Sequence, residues 1–148
     1  MHSDPAAWPL VLVACGAQKL GHAAAAQDLY IGDLFKKSRA WAERFGTRWL
    51  ILSAKHGLVA PEQVIEPYDT TLNLLGLDAL AAWDAMVQAQ FTQLGLDSHL
   101  HEPKVGPGVV VLAGRRYRRW VEGRSGVVVP MKGLGIGQQK AWLLAALA

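Results

Sequence analysis

Four short, continuous apolar runs constrain the fold of this chain more than any other feature. Each consists mainly of Val, Leu and Ile, and none alternates apolar with polar residues. Runs of this kind are typical of strands that are covered on both faces, as in parallel sheets. The four runs are PLVLVAC (Pro9–Cys15), RWLILSA (Arg48–Ala54), GVVVLAG (Gly108–Gly114) and SGVVVP (Ser125–Pro130).

Helical patterns separate these runs. Apolar residues recur every three or four positions in Asp33–Phe45 and Asp78–Leu94, where the opening aspartate is a suitable N-cap and a glycine follows the last residue. We also expect helices at Arg115–Val121 and Gln138–Ala146. Alternating strands and helices predict a three-layer α/β fold with a mainly parallel sheet of four or five strands. A length of 148 residues suits a single domain covering the whole chain.

The composition narrows the class of protein. Hydrophobic residues make up 51% of the chain and charged residues 18%, which excludes a disordered protein. No apolar run approaches the roughly 20 residues of a transmembrane helix, and the first residues do not resemble a signal peptide. The single cysteine, Cys15, excludes an internal disulfide and a cysteine-rich zinc site. We therefore expect a cytoplasmic protein with no membrane contact, metal or cofactor; the sequence does not fix its oligomeric state.

Each strand-like run is followed by a loop that contains a glycine and a cation. The cations are Lys19, Lys55, Arg115 and Lys132. Because the carboxyl ends of parallel strands meet at one sheet edge, we expect these loops to form an anion site there. The residues expected to bind a phosphate or nucleotide are Cys15, Gly16, Lys19, Ser53, Lys55, Gly114, Arg115, Tyr117, Lys132, Gly133 and Gly135. The alternative is that the loops are simply polar and rich in glycine.

A long segment with two prolines and little regular pattern, Gly57–Asn73, follows the second run. Loops of this length are uncommon unless they are functional. We identify Asp69, Tyr68 and His56, in or beside this segment, as candidate catalytic residues. Asp69 would position water or a sugar hydroxyl, and Tyr68 or Tyr117 would stack on a base. The alternative for Asp69 is a turn or capping role.

The densest basic segment is Arg115–Arg119, in which Tyr117 is interleaved and Trp120 follows. Such a patch suits a nucleic-acid backbone and stacked bases, and it equally suits the solvated face of a helix. It supports a second hypothesis, a non-enzymatic module that binds DNA or RNA.

Several motifs spread over nearly the whole chain occur together. They are VACG (Val13–Gly16) with Lys19, DLY (Asp28–Tyr30), ILSAKHGL (Ile51–Leu58), Pro61, PYD (Pro67–Asp69), Ala113-Gly114 with Tyr117, and Pro130 with GLGIG (Gly133–Gly137). This set resembles an uncharacterised family of bacterial and phage proteins known only as a domain of unknown function. Leu52–Asp69 is also similar to a motif of the YaaA peroxide-stress family, and GLVxP…PYD is similar to a segment of archaeosine synthase. Those relatives imply an association with DNA or with modified nucleobases.

Three functions remain open from the sequence. The first is a nucleotide- or nucleic-acid-directed protein with a phosphate site at the carboxyl edge of the sheet, acting on a nucleobase or an N-glycosidic bond. The second is the binding module that uses Arg115–Arg119. The third is thiol chemistry at Cys15, although a cysteine at the end of a buried strand is more often an inert filler.

Overall fold

A five-stranded sheet forms the centre of the protein in a computed structural model that describes residues 9–100 and 108–148. The described strands are β1 (Leu10–Ala14), β2 (Ala24–Ala25), β3 (Arg48–Ser53), β4 (Gly57–Val59), β5 (Val64–Ile65), β6 (Val109–Leu112) and β7 (Val127–Val128). The α-helices are α1 (Ala26–Leu29), α2 (Asp33–Phe45), α3 (Leu77–Gln93), α4 (Arg115–Arg118) and α5 (Ile136–Leu147). Two 3₁₀ turns cover Leu72–Leu74 and Leu96–Leu100.

The strand order of the main sheet is β4-β3-β1-β6-β7, and β1, β3, β6 and β7 run parallel. All four apolar runs form these parallel strands, which confirms the prediction of a mainly parallel α/β sheet. The central strand β1 pairs with β3 from Leu10 opposite Arg48 and with β6 from Leu10 opposite Val109. Every residue of β6 and the first four of β1 are buried, because helices cover both faces of the sheet.

The first long helix, α2, has the predicted bounds, but its start differs in detail. Gly32 occupies the N-cap position, and Asp33 is the first helical residue, where its side chain pairs with Lys37. A carboxylate in the first turn still favours the helix through its dipole. The glycine that follows, Gly46, has an ordinary φ of −94°. Its role is steric, since a Cβ there would lie 2.7 Å from a methyl carbon of Val11.

The second long helix, α3, begins and ends one residue earlier than predicted and again follows a glycine N-cap, Gly76. Leu80, Trp83, Val87 and Phe91 form its buried stripe as expected. Its neighbour Gly95 has a φ of +72°, a conformation that glycine adopts at little cost. No helix in the described ranges is long and apolar enough to cross a membrane.

The segment 57–73 is more regular than its sequence indicates. It contains β4, β5 and a 3₁₀ turn, and β4 forms an antiparallel hairpin with β3. Gln90 of α3 fixes this hairpin, since its side chain donates to the His56 carbonyl at 2.9 Å and accepts from the Leu58 N–H at 2.7 Å. Gly57 has a φ of +74°, and a Cβ there would collide with the Gln90 amide. These contacts come from a helix thirty residues away, so a local pattern does not reveal them.

The connections diverge at the carboxyl ends of β1 and β6. Helix α2, in the connection from β1 to β3, packs on α5 through Trp41 and Trp142, whose ring centroids are 6.0 Å apart. The chain after β6 packs on α3 instead, with 5.9 Å between Trp83 and Tyr117. The crossover from β1 to β3 contains α2, and the crossover from the β3–β4 hairpin to β6 contains α3 and runs in the opposite direction across the sheet. Because both crossovers are right-handed, α2 and α3 lie on opposite faces. The gap between the ends of β1 and β6 is thus the point where strand order reverses, the usual ligand position in such sheets.

Candidate functional site at the carboxyl edge of the sheet

A cavity of about 340 Å³ opens at the carboxyl end of β1. Its volume is within the range of small-molecule sites. Three parts of the chain form it: the loop after β1, the segment that precedes α3, and α4. The lining residues are Cys15, Gly16, Ala17, Lys19, Asp69, Thr70, Thr71, Asn73 and Tyr117. The structure therefore brings together five residues of the site predicted from sequence: Cys15, Gly16, Lys19, Asp69 and Tyr117.

Lys19 is the cation of this cavity. Its ammonium nitrogen lies 4.5 Å from the ring centroid of Tyr68 and 5.7 Å from that of Tyr30, and it donates to the Ala17 carbonyl at 3.3 Å. An ammonium over an aromatic face is held by the ring quadrupole. Lys19 has no carboxylate partner among the described residues. Its charge is therefore available to an anion in the cavity.

Tyr68 is buried behind Lys19, and its hydroxyl group belongs to a chain of hydrogen bonds. The oxygen lies 2.7 Å from Ser53 Oγ and 2.6 Å from Tyr30 Oη. Ser53 Oγ already accepts from the backbone N–H groups of His56 at 3.0 Å and Lys55 at 3.3 Å. Its own proton is then donated to Tyr68, and the Tyr68 proton to Tyr30. Ser53 and Tyr68, both expected in the site, thus support it from inside.

Burial raises the pKa of Tyr30 to about 12 and raises the pKa of Tyr68 further, chiefly because a buried phenolate is poorly solvated. Both hydroxyls are therefore neutral throughout the physiological range. The expectation that Tyr68 stacks on a base does not fit this position, since Lys19 covers one face of the ring and the His56 ring meets it edge-on at 5.7 Å. A tyrosine in a loop is often exposed, and sequence alone does not distinguish the two cases.

Asp69 is exposed and lines the cavity beside Lys19 and Tyr117. The alternative role as a turn cap belongs to a different residue, because Thr71 Oγ1 accepts from the Asn73 N–H at 3.3 Å. No hydrogen bond of the Asp69 side chain occurs within the described ranges. The carboxylate is free to meet a ligand.

Tyr117 and Arg116 stabilise the part of the cavity wall that Leu72–Leu75 forms. The Tyr117 hydroxyl accepts from the Leu72 N–H at 3.4 Å, and Arg116 donates to the carbonyls of Leu72 and Leu75, both at 3.2 Å. Burial raises the pKa of Tyr117, with the charge of Cys15 as a smaller cause. Thr71 and the role of Arg116 were not predicted from the sequence; for Thr71, the polar residues directly after PYD were the available signal.

The other predicted cations do not line this cavity. Lys55 is exposed in the turn between β3 and β4, and Arg115 is exposed at the start of α4. Lys132 forms an ion pair with Glu122 at 2.8 Å. Their strands do end at one edge as expected, but adjacent strands are about 4.8 Å apart, which separates the loops that follow them. Of the four cations, the cavity contains Lys19.

The basic patch is largely engaged within the protein. Arg118 pairs with Glu122 at 3.0 Å and donates to the Ala113 carbonyl, and Arg119 pairs with Asp84 at 2.6 Å. Together with Arg116, three of its four arginines thus have partners. The sequence left a nucleic-acid surface and a solvated helix face equally open for this patch; in the structure, Arg116 and Arg119 connect the α4 region to other parts of the fold.

A second, smaller cavity of about 90 Å³ lies on the other side of the β1 terminus. It shares Cys15 and Gly16 with the larger cavity, and its further lining includes Phe35, Gly114, Met131 and Gln139. Cys15 is half-buried between the two cavities, so it is not the fully buried filler that its strand position indicated. Cys15 and Gly16 are the two residues that line both cavities.

The remaining candidates lie outside both cavities. Burial lowers the pKa of His56, with the charge of Lys55 as a second cause, so the imidazole is neutral at pH 7. Gly133 has a φ of +83° and makes a turn, and the Gly135 N–H donates to the Gln138 side chain at 3.0 Å. Within the described ranges no group of three His, Cys, Asp or Glu side chains suits a metal ion.

Comparison with known proteins confirms the expectation of an uncharacterised domain family. The model of DUF6884, a family of unknown function, matches residues 10–145. The chain is also 28% identical over 116 residues to the uncharacterised protein YfjM of Bacillus subtilis (strain 168), an alignment that covers 74% of this chain and 71% of that protein. No solved structure matches it significantly. The chain therefore belongs to the DUF6884 family.

Proposed function

We propose that this protein binds a nucleotide in the larger cavity and acts on its nucleobase or N-glycosidic bond. The observation that carries the proposal is that Lys19 and Asp69 both line one cavity, at the point where strand order reverses, without forming an ion pair with each other. An ammonium without a protein carboxylate suits a phosphate, whereas a free carboxylate suits a hydroxyl, an N–H or a water molecule. A ligand that carries both an anion and hydroxyl groups uses both side chains.

Different polar residues of the cavity bind different parts of the nucleotide. Lys19 meets the phosphate, and its position over Tyr68 keeps the ammonium in the cavity. Thr71 and Asn73 supply further hydrogen-bonding groups along the segment that also carries Asp69. The similarity of the PYD region to segments of the YaaA family and archaeosine synthase supports a nucleobase-containing ligand.

The chemical step assigned to Asp69 is general-base catalysis. Its carboxylate takes a proton from a water molecule while the water oxygen bonds to the anomeric carbon of the sugar. The bond from that carbon to the base nitrogen breaks, and the base leaves with the electron pair and is protonated by solvent. Asp69 is exposed, so water reaches it directly.

Calorimetric titration with ribose 5-phosphate and uridine 5′-monophosphate tests the proposal. We expect the protein to bind both and Lys19→Met to weaken binding at least tenfold, the effect of about 1.4 kcal/mol. Lys36 is exposed on α2 outside both cavities, so Lys36→Met is the matched control and should bind as the wild type does. If the wild type binds neither compound, or if Lys19→Met and Lys36→Met bind them with the same affinity, the proposal is wrong.

The alternative DNA- or RNA-binding module is less well supported, because Arg116, Arg118 and Arg119 have partners within the fold. A module of that kind would bind long strands with an affinity that falls steeply with salt concentration. A nucleotide cavity with one lysine predicts a shallow salt dependence that does not change with chain length.

A further inference from the structure

We propose that the exposed side chains of Leu74 and Leu77 form an apolar rim beside the larger cavity, and that the base of the bound nucleotide packs against this rim. The inference rests on the proposed nucleotide function and adds where the base binds and how selective the site is. The sugar and phosphate would lie inside the cavity, and the base would lie at its opening. Purine and pyrimidine nucleotides would then bind alike.

Leu74 and Leu77 have the most exposed large apolar side chains in the described ranges, with relative exposures of 85% and 78%. A single exposed leucine is common on a protein surface and needs no explanation. These two, however, are three residues apart and directly follow Asn73, which lines the larger cavity. Because consecutive Cα atoms are about 3.8 Å apart, the backbone of Leu74 borders the cavity. Exposed apolar surface at this place is available to a ligand that extends from the cavity.

Hydrogen bonds hold the turn that carries Leu74. Its N–H donates to the Thr71 carbonyl at 3.3 Å, and the Leu75 N–H donates to the Leu72 carbonyl at 3.2 Å. Arg116 donates to the carbonyls of Leu72 and Leu75. Leu72 is buried and Leu75 packs against the core, so the turn is also fixed by its apolar side chains. The fold therefore presents Leu74 to solvent on a fixed backbone, which lowers the entropy cost of binding a ligand there.

The larger cavity itself offers little apolar surface for a base. Small and polar residues form most of its lining, and Tyr117 is the one aromatic residue among them. The ring of Tyr117 meets that of Trp83 edge-on at 5.9 Å, and its hydroxyl group accepts from the Leu72 N–H. Tyr68 lies behind Lys19, which covers one face of its ring. The faces of a nucleobase are apolar, so the base requires the surface that the rim provides.

An aliphatic rim predicts a site with little preference among bases. The free energy of a hydrophobic contact depends on the apolar area that it buries and not on the pattern of donors and acceptors. Strong discrimination between bases requires polar groups that are fixed against the base edge. The side chains of Leu74 and Leu77 are hydrocarbon and supply none. The substrate class that the rim favours is therefore nucleoside monophosphates in general.

Calorimetric titration with ribose 5-phosphate, uridine 5′-monophosphate and adenosine 5′-monophosphate tests the rim. We expect both nucleotides to bind the wild type about tenfold more tightly than ribose 5-phosphate and to differ from each other by less than about threefold. Leu74→Ala should bring both nucleotides close to the affinity of ribose 5-phosphate, and Leu77→Ala should weaken them in the same direction. Leu144→Ala is the matched control, because Leu144 is 57% exposed on α5 and lines neither cavity.

The affinity for ribose 5-phosphate should be the same in all three variants and the wild type, which shows in each case that the cavity is intact. If the three compounds bind the wild type equally, or if Leu74→Ala and Leu144→Ala bind the nucleotides with the same affinity, the apolar rim is wrong and the nucleotide proposal stands. The same holds if Leu74→Ala weakens ribose 5-phosphate as much as the nucleotides, or if the wild type prefers one base by more than about tenfold. If none of the compounds binds the wild type, both proposals are wrong.

Discussion

The ammonium group of Lys19 lies 4.5 Å from the ring centroid of Tyr68, whose hydroxyl group is bonded on its inner side to Ser53 and Tyr30. One buried tyrosine therefore connects the cation of the cavity to a hydrogen-bonded chain in the core. A cation–π contact contributes about 0.5–1 kcal/mol at an exposed site and about 2 kcal/mol or more when it is desolvated. The contact holds the lysine without neutralising it, which a carboxylate partner would do. The arrangement leaves a positive charge in the cavity for a ligand.

The first prediction concerns stability in alkali. Burial raises the pKa of Tyr30 to about 12, while an unfolded chain releases that proton near pH 10. The contribution of Tyr30 to folding is complete below pH 10 and is lost as the pH rises toward 12, since the unfolded state then binds fewer protons. The free energy of unfolding should fall by about 1.4 kcal/mol per pH unit from this group. Urea unfolding of wild type and Tyr30→Phe between pH 8 and 11 measures the difference, and equal slopes would contradict it.

The sequence predicted the sheet well because its strands are buried on both faces. Leu10–Val13 and Val109–Leu112 show this burial directly, since no exposed position interrupts their apolar runs. The edge strand β7 is shorter than its apolar run, and its Val128 is exposed. An apolar run therefore does not show by itself that every residue in it belongs to a buried strand.

The site was only partly predictable, for two physical reasons. Tyr68 has both an apolar ring and a polar hydroxyl group, so its residue type fits a buried network as well as an exposed stacking surface. The partners of Arg116, the Leu72 and Leu75 carbonyls, lie more than forty residues away in the chain. Contacts of this length depend on the packed fold and leave no local pattern. Lys19 and Asp69 were predicted because each follows a recognisable structural signal, a strand end and an unusual loop.

The second prediction separates binding from turnover at Asp69. Replacing the carboxylate by an amide in Asp69→Asn removes a negative charge near the phosphate and also removes the general base. Nucleotide affinity should stay the same or increase, while any hydrolysis of the base–sugar bond should fall by about 10²–10⁴-fold. Glu66→Gln is the control, since Glu66 is an exposed carboxylate of the same segment outside the cavity. Release of free base, measured by chromatography, gives the rate; equal rates in the wild type and Asp69→Asn would exclude a catalytic role.

The third prediction distinguishes structural from surface arginines. Arg116 donates to two carbonyls of the cavity wall, and a lost hydrogen bond to a charged group costs about 1.5–3 kcal/mol. Arg116→Ala should lower the free energy of unfolding by about that amount and weaken nucleotide binding, because the Leu72–Leu75 wall loses its support. Arg115 is exposed, and Arg115→Ala should do neither. Urea unfolding and calorimetry measure both effects. A loss of DNA binding in Arg115→Ala with unchanged nucleotide affinity would instead favour the binding module.

The fourth prediction uses Cys15 as a reporter of the cavities. Cys15 is half-buried and lines the larger cavity, so a nucleotide bound there should cover its thiol. Alkylation by iodoacetamide should be slower in the folded protein than in urea, and saturating uridine 5′-monophosphate should slow it further.

The chain contains one cysteine, so the mass of the intact protein reports modification at this residue alone. Alkylated protein should no longer bind the nucleotide, because the added acetamide group takes up space at the wall of the larger cavity. Cys15→Ser should retain the affinity, since it keeps the size of the side chain. It should lose up to about 1–3 kcal/mol of stability if the hydroxyl group lacks a partner. An alkylation rate that saturating nucleotide leaves unchanged would show that the ligand does not pass Cys15, and it would move the nucleotide away from the end of β1.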